Sequence, residues 1–433
     1  MATEKNGLSH DSELPSYFDQ PRSAAGTEHR YQLEDSGGKA WIWMSIKSRA
    51  REPHQLPLFY EQDILTGTVE VDFDKTSGAK AVTITATAGV TAVGQDEDTF
   101  LKITHTLWDA KESTSTKPKG KHTWPFSVSV PSEVAISDKF RPKQPLKTYP
   151  LPPTFSERAS PAYVDYKLVV TVRRGAFKVN HTLATSWVYW PITRADPPSH
   201  LRQIAYDEGS PLIGPEGDPE GWKVLPPVKI TGTVFSSRQV EVLCTIAIAK
   251  PLSCAAGSPF PIFLTLTGSD EQALDLLASP SSPKLHLTRT RAIGEGAAGG
   301  AEAGRTDNVF VQSVGSAFFW LSSEGAVQAG TRTLQGELDV KKGLKQSFAL
   351  PGFALWYSLA LYPFSASGFS SAVPATEPLL TESVTITSSN AVGITPRSYA
   401  PPGYDKKDEG DYNTAAGYLE NGNQRFLHHG GFM

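Results

Sequence analysis

The sequence predicts an all-β fold of two tandem immunoglobulin-like antiparallel β-sandwiches flanked by disordered tails. Three observations carry that prediction. Short stretches of β-branched and aromatic residues alternate with polar ones at a period of two along both halves of the chain. Helical patterning is nearly absent, which argues against a parallel βαβ sheet. At 433 residues the chain exceeds one ordinary core, and a dense run of prolines divides it near the middle.

The first strand signal is Trp41 to Ile46, after a polar leader. Ile64 to Phe73 alternates Val69, Val71 and Phe73 with Thr, Glu and Asp, and Ala81 to Val93 runs Val82, Ile84, Ala86, Ala88 and Val90 at period two. Further strands fit Phe100 to Trp108, His122 to Val130, Ala162 to Arg173 and Phe177 to Trp190, with Arg174-Gly175 as a turn. From Asp196 to Pro227, Pro197-Pro198, Pro211, Pro215, Pro219 and Pro226-Pro227 exclude a central strand and suit an extended connector. The same grammar then resumes with Val228 to Phe235, Val240 to Ala249 and Phe260 to Leu266, one short helix at Asp270 to Ala278, and strands at Lys284 to Ala292, Phe310 to Leu321, Thr333 to Val340, Phe353 to Tyr362 and Ser383 to Thr387. Gly294 to Gly304 reads as a disordered Gly/Ala loop. The expected organisation is a leader at 1–38, a first domain at 39–195, a connector at 196–227, a second domain at 228–390 and a tail at 391–433.

Composition narrows the function. Forty-one Lys and Arg face 45 acidic residues, and a net charge of −4 gives no broad electrostatic footprint for nucleic acid. Two cysteines, Cys244 and Cys254, are too few for a disulfide framework and too isolated for a zinc site. A reduced, cytoplasmic, soluble chain is expected: residues 1–30 carry no charged-then-apolar leader, and no apolar run approaches the ~18 residues of a membrane span. The sequon Asn180-His181-Thr182 is then expected to stay unused.

The most informative motif is Pro401-Pro402-Gly403-Tyr404, a PPxY ligand beside the charged run Asp405 to Asp411. Two prolines hold φ near the polyproline II value, so the peptide reaches an aromatic groove already extended, and Tyr404 fills the adjoining pocket. WW domains read this spacing. Leu14-Pro15-Ser16-Tyr17 offers a weaker LPxY variant in the opposite tail, so Leu14, Pro15 and Tyr17 are a secondary site that raises avidity for tandem WW domains. The competing reading is a Pro-rich turn at a domain end.

Three landmarks of the first half resemble the N-domain of arrestins. They are Leu58 through Val71, with Gly67 and Val69 making a G-x-V in a strand; His122 through Pro131, a strand around Trp124-Pro125-Phe126 that ends in proline; and Leu151-Pro152-Pro153-Thr154-Phe155 leading into Ala162 through Leu168. Val228 through Val234 and Ala249-Lys250-Pro251 through Ile262 look like the opening of an arrestin C-domain. The resemblance covers residues 39 to 390 and is of the α-arrestin, arrestin-related trafficking adaptor type. It implies an arrestin fold that needs no cofactor and does no chemistry. It also implies an adaptor that grips the cytosolic tail of a membrane transporter or receptor. The PPxY peptide then recruits a WW-domain HECT ubiquitin ligase, and the chain works at the plasma membrane and endosomes. The Pro-rich connector, the polar leader and the Gly/Ala loop depart from compact visual arrestins, and no equivalent of their phosphate-sensing polar core can be placed.

Other patterns are weaker. Lys117, Lys119, Lys121, Lys139, Arg141, Lys143 and Lys147 form a candidate basic edge for anionic lipid or phosphate, against the alternative of solvated loops. Glu208-Gly209-Ser210-Pro211-Leu212-Ile213 matches an acidic dileucine pattern, and Ser160, Ser279 and Ser282 precede prolines as proline-directed kinase sites do. Gly294-Glu295-Gly296-Ala297-Ala298-Gly299 fits G-x-G-x-x-G without a helix to hold a pyrophosphate. His428-His429 sits in the tail, and Cys244 lies in a strand pattern that suits a small core residue better than a nucleophile. Two other functions stay open: a retromer-like trafficking scaffold without ligase recruitment, and a β-sandwich carbohydrate-active enzyme.

Overall fold

The computed structural model describes residues 26–402, apart from 77, 112–117, 138–139, 141–142, 144, 158–159, 176–177, 303–307 and 322–327. The first body holds β1 (Thr27–Glu34), β2 (Ala40–Ser48), β3 (Leu58–Tyr60), β4 (Ile64–Asp72), β5 (Ala79–Ala92), β6 (Asp98–Asp109), β7 (Lys121–Ser129), β8 (Glu133–Ile136), β9 (Lys147–Pro150), β10 (Ala162–Arg174) and β11 (His181–Trp190). Then come α1 (His200–Glu208), β12 (Trp222–Val224), β13 (Val228–Val234), β14 (Arg238–Ala249), β15 (Ser253–Ala255), β16 (Pro259–Thr267) and α2 (Glu271–Leu277). The chain closes with β17 (Lys284–Gly294), β18 (Asn308–Leu321), β19 (Thr331–Asp339), β20 (Phe348–Leu350), β21 (Gly352–Tyr362), β22 (Phe369–Ser371) and β23 (Leu380–Thr387).

The protein is all-β, as the alternation predicts, and the two bodies repeat one topology. The layer β1-β2-β4-β7 of the first reappears as β13-β14-β16-β19 in the second, and β3-β11-β10-β5-β6 reappears as β15-β23-β21-β17-β18. In each, a short strand closes the second layer in parallel, β3 beside β11 and β15 beside β23. One difference separates them. The 14-residue β18 pairs with β17 along its first part and with β19 along its last, so both layers of the second body belong to a single curled 12-stranded sheet.

Local chemistry explains the landmarks. Gly67 is needed because a Cβ there would run into the Ser45 carbonyl oxygen and the ring of Phe126, the residue opposite on β7. Pro125 is tolerated in β7 because that strand is the edge of its layer. Leu65-Thr66-Gly67-Thr68-Val69 and Ile230-Thr231-Gly232-Thr233-Val234 read alike, yet lie on the non-equivalent β4 and β13. Their likeness is a shared local need, since Gly232 likewise sits under a ring, that of Phe369. Inside the first body, Trp187 meets Phe59 edge-on at 5.6 Å between ring centroids and Tyr166 at 4.9 Å, and the Tyr166 hydroxyl donates to the Pro152 carbonyl at 2.7 Å.

Four stretches that the sequence reading left without structure are ordered. The leader ends in β1, where His29 replaces the apolar residue that alternation needs; it is buried, bonded to Ser48 Oγ at 2.8 Å and to the Pro53 carbonyl at 3.1 Å. The connector contains α1, whose N-cap is Ser199 and whose C-cap Gly209 is left-handed at φ 72°, and β12, which pairs with β14. The Gly/Ala loop makes a 3₁₀ turn at Ala297–Glu302, with Ala297 buried against Ala292 and Ala354. Residues 391–402, a turn at 391–393 followed by chain outside any helix or strand, lie as a strap on the second body and α1. The predicted helix is found as α2, capped by the Asp270 carboxylate, which accepts from the Ala273 amide.

The two bodies are locked together by a buried seam, and one continuous hydrophobic core runs through both. Phe155, fully buried, meets Phe353 at 5.3 Å and Phe348 at 6.0 Å from the other body. Beside it Glu157 accepts from Arg289 at 2.7 Å and lies 3.8 Å from Arg291. Gln346 donates to the Pro191 carbonyl at 2.7 Å and accepts from Thr193 Oγ1 at 2.6 Å. Lys345 lies 5.0 Å from the Trp190 ring.

Candidate functional site

The strap begins where β23 ends. Ser388 and Thr193 exchange three hydrogen bonds of 2.9 to 3.0 Å, and Ser258 donates to Asn390 at 3.0 Å. Ile394 and Tyr399 then pack on Ala205, Tyr206 and Leu212, a small core separate from the main one. Tyr399 stacks on Tyr206 at 6.3 Å, and its hydroxyl donates to the Ala205 carbonyl at 2.9 Å. Burial pushes the Tyr206 phenol up to about 12 and raises that of Tyr399, so both remain neutral donors. Arg397 covers the C-cap Gly209, placing a cation at the negative end of α1.

One acidic residue fixes the end of the strap. Glu337, on β19 and 1% exposed, accepts from Ser398 Oγ at 2.7 Å with one oxygen and from the Tyr399 amide at 2.9 Å with the other. Three residues on, Pro401 is half-buried and Pro402 is exposed.

α1 itself is clamped to the second body. Arg202, buried, donates to the carbonyls of Lys250 at 2.7 Å and Gly221 at 2.6 Å, and stacks 4.4 Å from the Trp222 ring. Ser199 and Gly209, the helix's start and stop signals, were visible in the sequence; the surrounding prolines obscured them.

Of the sequence-selected residues, Pro401 and Pro402 stand at the end of the strap. Tyr404, Leu14, Pro15 and Tyr17 lie outside the described residues, as do Lys117, Lys139, Arg141 and the pair His428-His429. Lys119 and Lys121 stand at the start of β7, where Lys121 pairs with Glu70 at 3.0 Å and covers the Trp43 ring at 3.9 Å, while Lys143 and Lys147 stand at the entry to β9. Leu212 is buried against Tyr206, so the dileucine pattern is not presented as a sorting peptide. Ser160 and Ser282 are buried and bonded to main-chain carbonyls, which closes them to a kinase. Cys244 and Cys254 are buried, and their thiols are pushed up to about 12, far from a reactive thiolate.

Asp165 is a buried carboxyl displaced far from its ordinary behaviour. On β10 and 3% exposed, it is pushed up to about 7 by burial, with Lys167 opposing and the Glu97 carboxylate adding to the rise. The folded chain then holds a proton that the unfolded chain releases near the ordinary carboxylate value. Stability from this group is full below that value and falls as pH rises towards 7. Asp165→Asn is expected to flatten the stability decline between about pH 4 and 7, by roughly 4 kcal/mol at most. Denaturant titrations of both chains across that window measure it, and parallel curves would contradict the assignment.

Twin sandwiches joined by a buried seam, with a strap laid along the second, make up an all-β scaffold. Residues 51–185 match the family described as Arrestin (or S-antigen), N-terminal domain, so the chain carries an arrestin N-terminal domain, consistent with an arrestin-family protein. A search of curated proteins found no match. Arrestin-family proteins are generally non-enzymatic adaptors, and the domain suggests a trafficking adaptor of arrestin type. Among the described residues no helix is long and apolar enough to cross a membrane, and no group of three or more His, Cys, Asp or Glu could hold a metal ion.

Proposed function

We propose that the protein is an adaptor of the α-arrestin type, in which the paired sandwiches bind the cytosolic tail of a membrane transporter or receptor. Pro401, Pro402 and Tyr404 recruit a WW-domain HECT ubiquitin ligase, and the cargo is ubiquitinated for endocytosis. The observation that carries this reading is the coincidence of an arrestin N-terminal domain with a PPxY peptide that starts where the strap leaves the second body. The prolines supply a preformed extended ligand, and the tyrosine supplies the anchor.

Titration of the full chain with an isolated WW domain tests the reading. Micromolar affinity is expected, with a loss of tenfold or more (about 1.4 kcal/mol) in Tyr404→Ala. A tandem WW protein is expected to bind the chain more tightly than a single domain does, through Tyr17 as well. Binding that survives Tyr404→Ala unchanged would remove the motif from the function.

A further inference from the structure

The structure assigns Ser398 as a modification site: phosphate there unlatches the strap from Glu337 and α1. Ser398 is exposed, and the chain on either side of it lies outside any helix, strand or turn, so it can be drawn into a transferase cleft as a peptide. Its hydroxyl nevertheless donates to one oxygen of a carboxylate that is itself 1% exposed. The other oxygen holds the Tyr399 amide, so both bonds that fix the strap's end converge on Glu337. A single substituent on Ser398 Oγ addresses that anchor directly.

The step balances simply. A kinase moves the terminal phosphoryl group of a nucleoside triphosphate onto Ser398 Oγ; the O–P bond forms as the phosphoanhydride bond breaks, the hydroxyl proton goes to solvent and the nucleoside diphosphate departs. The donor hydrogen is lost, and close to two negative charges take its place. A phosphate this close to the Glu337 carboxylate, which is itself buried, is repelled by it. Arg397, the nearest cation along the strap, already sits over the end of α1. The two other contacts of Tyr399, its stack on Tyr206 and its hydroxyl bond to Ala205, depend on the Tyr399 backbone staying on Glu337. Release lengthens the segment before Pro401 back towards Ile394, whose packing on Tyr206 and Leu212 is the next hold on the strap. The consequence for ligase access rests on the adaptor reading above; the latch itself does not.

Amide hydrogen exchange on the full chain tests the latch without reference to any ligase. A chain carrying phosphoserine at 398 is expected to exchange the Tyr399 amide and the α1 amides at least about tenfold faster than the unmodified chain, as loss of two charge-assisted hydrogen bonds dictates. In a Glu337→Gln background, where the opposing charge is gone, the same phosphate is expected to add less than about threefold. Ser398→Asp, a surface change that leaves the core intact, is expected to reproduce part of the effect. Unchanged exchange on phosphorylation, or equal acceleration with and without the Glu337 charge, overturns the proposal. A parallel WW-domain titration separates the two readings: if no form of the chain binds the domain, ligase recruitment fails while the exchange data still decide the latch.

Discussion

Glu157→Ala is expected to destabilise the protein by about 3–5 kcal/mol, the range for removing one partner of a buried ion pair. Glu157 is the one carboxylate paired with Arg289 and Arg291 at the seam, and neither guanidinium Nε has a hydrogen-bond partner among the described residues. Gln312 accepts a further bond from Arg289 at 3.1 Å, which steadies the arginine without neutralising it. Removing the carboxylate leaves the buried Arg289 and the largely buried Arg291 beside each other without it. The Arg291 guanidinium is already held below its ordinary range, first by burial and then by Arg289, so it is the group most sensitive to the loss. Guanidinium chloride unfolding followed by tryptophan fluorescence measures the effect. The triple replacement of Glu157, Arg289 and Arg291 by apolar residues is expected to recover much of the loss, because it removes the desolvation cost along with the pair. A loss below about 1 kcal/mol in Glu157→Ala would show that water reaches the cluster.

Phe155→Ala is expected to cost about 3–5 kcal/mol as well, through a cavity at the centre of the seam. The ring is fully buried, Thr154 beside it ties Tyr189 of β11 through a 2.8 Å bond to its amide, and the aromatic partners Phe348 and Phe353 belong to the other body. Neither body can collapse into the void alone, since each is held by its own sheet. Unfolding is therefore expected to lose cooperativity, with the first body separating from the second before either melts, visible as non-coincident fluorescence and circular dichroism transitions. A single coincident transition at unchanged midpoint would show that Phe155 is not what couples them. Glu157 is two residues away, so a double-mutant cycle with Glu157→Ala should show coupling beyond additivity.

The candidate site was partly legible in the sequence. Pro401, Pro402 and Tyr404 stand out because a linear peptide carries its whole recognition pattern locally; Ser199 and Gly209 bound α1, but the prolines around them made the connector read as extended. Nothing local marked Glu337. It reads as one more polar residue in the alternation of β19, and becomes an anchor only because the chain returns 61 residues later to lay Ser398 on it. Among the basic residues, the pairing of Lys121 with Glu70, its cover of the Trp43 ring and the place of Lys147 on the β8–β9 ribbon were likewise not visible in the sequence.

Sequence alone determined the all-β class, because period-two alternation and the scarcity of helical spacing are properties of neighbouring residues that the backbone pleat reads directly. It also determined where Gly67 and Pro125 must sit, since each answers a local steric demand. Only the tertiary structure decided that β18 joins two layers into one curled sheet, that Glu157 and Phe155 couple the bodies, and that the strap ends on a buried carboxylate. The strap and seam contacts pair residues 61 and 132 positions apart. The pairing energy of such residues depends on burial and approach that no window of sequence contains.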